Sequence, residues 1–304
     1  MRLLSSLGLT VCLLLIAAAA FAAPPGFAFL EIPAGARAAS LGGAYSSMTT
    51  GVESAYWNPA RLTSERGLEI TGGHTEWFQK LRHDYFAVGG RMFGGGAAAS
   101  IRALYSEPID ERDDVGTLIG SFGAHDLELG LGYGHSLAGG VSLGGSASIV
   151  RERISNLAAM TYAFGLGAAW EPGVLPGARF AISGQNLGPS ASYTIDGIAG
   201  EPVQLPAAVQ AGMSYGLPVG GRMHVNGAVE GRAVRGRTVL GLAGAELGDA
   251  SGAALRVGFR VNDTATTVSF GAGYALPGFS FDYAFVPLRY DLGDTHRFGF
   301  SARF

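Results

Sequence analysis

Three groupings of residues in this chain have the composition of chemical sites. Gly212-Met213-Ser214-Tyr215-Gly216 matches the G-x-S-x-G elbow of serine hydrolases, which needs a sharp strand-to-helix turn to expose its nucleophile. Here the flanking residues alternate as a strand does and Leu217-Pro218 follow, so catalysis is not expected there. Gly130-Leu131-Gly132-Tyr133-Gly134 has the glycine density of a phosphate loop, yet no lysine and no helix pattern follows it. Asp110, Glu111, Asp113 and Asp114 cluster around Arg112. Without EF-hand spacing or a turn glycine they read as a solvated loop in preference to a calcium site. The six histidines show no i, i+4 pairing, so neither a metal nor a cofactor is expected, and the chain reads as non-enzymatic.

The elements that carry these residues point elsewhere. Arg2 precedes an apolar run from Leu3 to Ala20, and Ala20-Phe21-Ala22 supplies the small residues a signal peptidase reads, which predicts a signal peptide over residues 1–22. Cys12, the one cysteine, has Val11 before it and leucines after it, against a lipoprotein anchor; the exported chain has no cysteine. Beyond Ala22 no stretch reaches the ~18 to 20 apolar residues of a membrane helix. Still, 48% of residues are hydrophobic, 15% are charged and 49 of 304 are glycine. A slight acidic excess, 24 acidic against 21 basic residues, gives no sign of a nucleic-acid partner.

From Gly67 onward the chain breaks into alternating segments separated by turn signals. Fourteen are expected, near 67–77, 83–93, 95–106, 123–137, 140–152, 160–171, 177–187, 206–218, 221–232, 237–247, 252–262, 265–276, 278–286 and 295–304. Links after even-numbered strands are short, while the two long ones, 107–122 and 188–206, follow odd-numbered strands. An even strand count with short turns at one end and long loops at the other describes an antiparallel transmembrane β-barrel, with both barrel ends periplasmic. A secreted β-sandwich also alternates and is the competing reading.

Face assignment follows from charge. Leu127, Leu129, Leu131 and Tyr133 oppose Asp126, Glu128 and the glycines between them; Leu255, Val257, Phe259 and Val261 oppose Arg256 and Arg260. An arginine on the lipid face would cost ~2 to 4 kcal/mol at the midplane, so the apolar sides face lipid. Strands one and ten show no clean assignment. The lumen should then receive Arg102, Asp126, Glu128, Asn226, Glu230, Arg256, Arg260, Asp282, Arg297 and Arg303. Charges shut in there must pair or stay hydrated, and the preferred reading is that they pin a plug to the wall, the other being a ligand path. Phe298, Phe300 and Phe304 lie on one face of the last strand, an expected insertion signal for the barrel assembly machinery and an expected contact with outer-membrane lipid.

Residues 23–66 precede the barrel of residues 67–304 and lack its period. Phe27 to Pro33 reads as a short extended piece, and Asn58-Pro59 as the N-cap and first position of a short helix. A compact apolar element beside such a barrel can bury itself only in the lumen or at the rim, so it is expected to be a plug. Its residues, Gly35-Ala36-Arg37-Ala38-Ala39-Ser40-Leu41-Gly42-Gly43-Ala44 and then Ser54-Ala55-Tyr56-Trp57-Asn58-Pro59-Ala60, resemble the N-terminal signature of the PorV/PorQ family of outer-membrane proteins. The tail pattern of that family is similar to Phe281 to Pro287 and Asp291 to Arg297. PorV/PorQ proteins are similar in turn to FadL long-chain fatty-acid transporters.

That resemblance implies an all-β fold: a fourteen-stranded barrel with a lumenal N-terminal hatch containing short helices, in which Gly35, Arg37, Leu41, Gly42, Gly43, Tyr56, Trp57, Asn58, Pro59 and Ala60 are hatch residues. It also implies the outer membrane of a diderm bacterium and a docking or secretion-associated role of the type IX kind, with secreted cargo proteins or secretion subunits as partners. The alternative is a FadL-like transporter of a hydrophobic ligand; a purely structural or adhesive barrel is a third class.

Overall fold

A computed structural model describes residues 25–64, 67–195 and 198–304. The expected signal peptide and Cys12 lie outside them. Fourteen long strands form one antiparallel ring: β1 Glu69–Glu76, β2 Leu81–Met92, β3 Gly95–Ser106, β4 Ala124–Ser136, β5 Val141–Ile154, β6 Leu157–Trp170 and β7 Ala178–Leu187. They continue as β8 Ala208–Val219, β9 Met223–Val234, β10 Leu240–Asp249, β11 Ala253–Val261, β12 Val268–Leu276, β13 Phe279–Pro287 and β14 Asp294–Arg303. Each pairs with its neighbour in sequence. The ring closes between last and first, with Glu69 opposite Arg303 and Glu76 opposite His296. A closed antiparallel ring leaves no unpaired edge, the one sheet form that hydrocarbon tolerates.

Burial along the strands is inverted relative to a water-soluble sheet. Leu131, Phe270, Leu255 and Phe298 are exposed on the outside while Arg102, Glu230, Glu246, Arg256 and Arg297 are buried inside. The sandwich alternative is thereby replaced by a barrel whose solvent outside is lipid. Among the expected lumenal charges, Arg303 lies at the periplasmic rim of the lumen, where its side chain is mostly exposed and pairs with the buried Glu69.

Both long connections carry their own hairpins, Ile109–Arg112 with Leu118–Phe122 and Ala191–Ile195 with Ile198–Val203. They sit at the end with longer connections, which is the external end; the turns at 93–94, 220–222 and 277–278 mark the periplasmic end.

The plug segment is built from short helical pieces. Phe27 to Pro33 is not extended as the sequence indicated: Ala28–Glu31 is a 3-10 helix, entered from Phe27 at φ 53°, with the Leu30 and Ile32 amides donating to the Phe27 and Phe29 carbonyls. Two α-helical turns follow, α1 Ala36–Ser40 and α2 Ser54–Trp57. The helix expected at Asn58 is present as a 3-10 helix, Pro59–Ser64, and the Asn58 side-chain oxygen accepts the Ala60 amide at 3.1 Å.

Candidate functional site

The site is the lumen and what fills it. The plug lies against the wall at two glycine surfaces. At the first, a Cβ on Gly258 would stand 2.0 Å from the Gly42 nitrogen and one on Gly244 would stand 2.7 Å from the Leu41 oxygen. At the second, one on Gly144 would stand 2.3 Å from the Pro59 carbonyl carbon. Any side chain at these wall positions would push the plug inward, so the glycines permit backbone-to-backbone contact. Hydrogen bonds then fix the approach. Ser269 Oγ accepts the Gly42 amide at 3.1 Å and donates to the Ser40 carbonyl at 3.1 Å, and Asn58 Nδ2 donates to the Ala168 carbonyl at 3.2 Å.

Charged groups make the second set of pins. Arg37 on α1 grips Glu246 of β10 with two parallel bonds, 2.9 and 2.8 Å. Glu246 also accepts from Arg256 Nε at 2.6 Å, and Arg256 Nη1 continues to Asp282 at 2.7 Å. Two cations and two carboxylates thus alternate, each charge answered by its neighbour, which offsets the desolvation of burying them. Glu230 holds the plug differently: its two oxygens accept the amides and hydroxyls of Ser46 and Ser47 at 2.7 to 3.1 Å.

Three more arginines grip plug carbonyls. Arg102 pairs with Glu128, donates to the Leu30 carbonyl at 3.3 Å and lies 4.7 Å from the Tyr56 ring centroid. Arg297 donates to the Pro33 carbonyl at 3.1 Å beneath the Trp77 ring, and Arg260 donates to the Gly42 carbonyl at 2.9 Å while pairing with Asp263. Asp126 is apart from them, near the external rim, where it accepts the Arg153 amide at 3.3 Å. Asn226 supports the network from β9 by donating to Glu246 at 3.2 Å.

Two cavities flank the plug. The external one, of about 440 Å³, is an open vestibule whose floor and sides include Tyr56, Trp57, Gly42, Gly43, Leu240 and Leu242, with Glu31, Gln210, Arg232, Arg237, Arg260 and Asp263 among its polar groups. Arg232 is held by the side-chain oxygens of Gln185 and Gln210 at 2.7 and 2.9 Å. The periplasmic one, of about 60 Å³, is polar and bounded by Arg37, Tyr45, Glu53, Glu69, Asp282 and Arg303. Burial there pushes the Glu53 carboxyl up to about 8, nearby Asp282 adds to the rise, and Arg37 opposes it.

The candidate plug residues Gly35, Arg37, Leu41, Gly42, Gly43, Tyr56, Trp57, Asn58, Pro59 and Ala60 all come together in this filling, most of them buried. Glu246, Gln210, Gln185, Arg232 and Glu69 were not found from sequence. Ser214 of the G-x-S-x-G match sits mid-strand in β8, opposite Arg179 of β7 and Ala228 of β9. The acidic cluster lies in the exposed external hairpin, where Asp113 accepts the Val115 and Thr117 amides and Asp110 pairs with Arg112. Phe298, Phe300 and Phe304 face outward, 52%, 40% and 76% exposed.

A closed fourteen-stranded antiparallel barrel with its N-terminal segment pinned in the lumen defines the architecture of FadL-like outer-membrane barrels. Solved structures agree. The toluene transporter TodX of Pseudomonas putida superposes with a TM-score of 0.62 at 13% identity, covering 89% of this chain and 98% of that one. The toluene transporter TbuX of Ralstonia pickettii gives 0.60 at 13% identity, covering 89% and 98%. A Pseudomonas aeruginosa FadL homologue gives 0.50 at 11% identity, covering 94% and 99%. These neighbours are channel and transporter barrels, and at such identity the likeness speaks for the fold. No protein-family model and no curated protein sequence matches the chain, so the PorV/PorQ resemblance rests on its motif residues alone.

Proposed function

We propose that this protein is a non-enzymatic outer-membrane transporter that admits hydrophobic small molecules from the external side. The observation that carries this reading is the vestibule: an externally open cavity within the 300 to 1,000 Å³ typical of ligand sites, walled by Trp57, Tyr56, Leu240 and Leu242 directly above a lumenal plug. The fold shared with TodX and TbuX, which are toluene transporters, supports it. Export through a cleaved leader over residues 1–22 belongs to the same proposal.

The secretion-associated role has less support. The N-terminal motif residues that resemble the PorV/PorQ signature are mostly buried between plug and wall, where a secreted partner has no access to them. The test is whole-cell uptake of radiolabelled toluene and of a radiolabelled long-chain fatty acid, comparing cells with and without the gene. Faster uptake of either probe supports transport. Unchanged uptake of both, with a secreted protein co-purifying with the barrel, overturns it in favour of docking.

A further inference from the structure

The two cavities are separated by very little. Trp57 lines the vestibule and Tyr45 lines the periplasmic pocket, and their rings meet edge to face with centroids 5.7 Å apart at 86°. Both belong to one apolar cluster that contains Leu41, Ala44 and Met48 from the plug and Ala228 and Leu242 from β9 and β10, with Leu240 packed against it. An apolar seam therefore runs from the vestibule to the periplasmic pocket along the plug's contact with β9 and β10. Polar pins bound it on both sides, Glu230 with Ser46 and Ser47 on one and Arg37 with Glu246 on the other. Leu41, Ala44, Met48 and the wall residues of the seam are held by packing, while Trp57 Nε1 donates to the Ala34 carbonyl at 3.1 Å, so a swing of the Trp57 ring costs one hydrogen bond while the pins keep the plug seated.

We infer that this seam is the passage of the proposed transporter and that the Trp57–Tyr45 contact is its closed gate. The inference rests on the transport reading. The vestibule carries charges, Glu31, Arg232, Arg237, Arg260 and Asp263, but the seam below it is lined by Leu41, Ala44, Met48, Ala228 and Leu242, so the ligand class is apolar. The ligand next meets charge at Arg37, which lies 5.8 Å from the Tyr45 ring. A second aromatic pair, Tyr56 with Tyr85 at 6.4 Å, also bridges the two cavities. That line passes the buried Arg102–Glu128 pair, which an apolar molecule cannot solvate.

The test separates the gate from release of the whole plug. A Cβ on Gly299 would stand 3.5 Å from Ala36 Cβ, within disulfide range, and the exported chain has no native cysteine, so Ala36→Cys with Gly299→Cys staples the plug to β14. In the stapled background, Trp57→Ala with Tyr45→Ala should raise single-channel conductance in planar bilayers at least several-fold over the stapled parent, before and after reduction. Conductance equal to the parent overturns the gate, as does conductance that appears only after reduction, which would mean that the plug leaves as a body. Opening by Tyr85→Ala and none by the Trp57 and Tyr45 variants moves the passage to the other line and overturns this one. Should the double variant fail to insert, Ala228→Leu fills the seam from the wall and should slow toluene uptake at least threefold in cells; unchanged uptake overturns the inference. Absence of toluene and fatty-acid uptake by the wild type, with conductance still opened by the ring deletions, would sink the transport reading and leave the gate standing.

Discussion

Arg37 and Glu246 are 209 residues apart in sequence and joined by two parallel hydrogen bonds in the lumen. This contact ties the first helix of the plug to the tenth strand of the wall. Glu246 is almost fully buried and also carries Arg256, so its loss strands Arg37 and leaves Arg256 with Asp282 as its one carboxylate.

Glu246→Ala should therefore lower the temperature at which the folded band converts on heat-modifiability gels, by an amount corresponding to roughly 3–5 kcal/mol. Arg112→Ala, which removes an exposed ion pair and an exposed hydrogen bond to the Gly116 carbonyl in the external hairpin, should leave it within error of wild type. Equal transitions for the two variants would refute the role assigned to the network.

Backbone contact predicts a steric asymmetry among glycines. Gly258→Ala places a methyl on the Gly42 nitrogen and should cost about 1–3 kcal/mol while raising basal conductance in bilayers. Gly227→Ala on β9, whose added Cβ would meet nothing within 4 Å, should change neither.

Glu53 gives the plug a pH dependence with a definite sign. Its ordinary value is 4.5 and burial raises it to about 8, so between these values the folded protein holds a proton that the unfolded chain has released. Stability contributed by this group is then complete below about 4.5 and is lost as pH rises toward 8, by at most about 1.4 kcal/mol per pH unit. Thermal conversion measured from pH 4 to 9 should fall across that window in the wild type and fall less in Glu53→Gln. A parallel pair of curves would place the dependence elsewhere.

The outward aromatics of β14 are proposed as the insertion signal. Phe298→Ser with Phe300→Ser should accumulate in the periplasm when cells are fractionated, whereas Phe281→Ser on β13, exposed on the same outer surface, should reach the outer membrane. Equal insertion of both variants would reduce these rings to lipid contacts.

Much of the barrel was legible in the sequence because its solvent is reversed: Arg256 and Arg260 alternating with Leu255, Val257 and Phe259 admit one orientation only. All fourteen expected strands are present, with ends displaced by a few residues. The plug was legible as a plug, since an aperiodic apolar segment has nowhere else to go. Its inner chemistry was not. Glu246 and Glu69 fall in the two strands whose alternation gave no face, and β10, Leu240 to Asp249, has leucine, glycine and an acidic residue on both sides. The wall glycines gave a signal of close packing without saying what packs. That partner is the backbone around Gly42 and Pro59, which has no side-chain pattern to read.

The glycine surfaces and ion pairs also make assembly an ordering problem. Translation produces the plug first, yet Gly42 rests on Gly258 of β11 and Arg37 needs Glu246 of β10, so the earliest segment waits for late strands before it can be seated. Closure of β14 on β1 then encloses the plug in the lumen. The plug is thereby a template on which the wall is gauged: a ring of the wrong register would bring β10 and β11 round with their glycines facing outward, and the cork would not fit the bottle being blown around it.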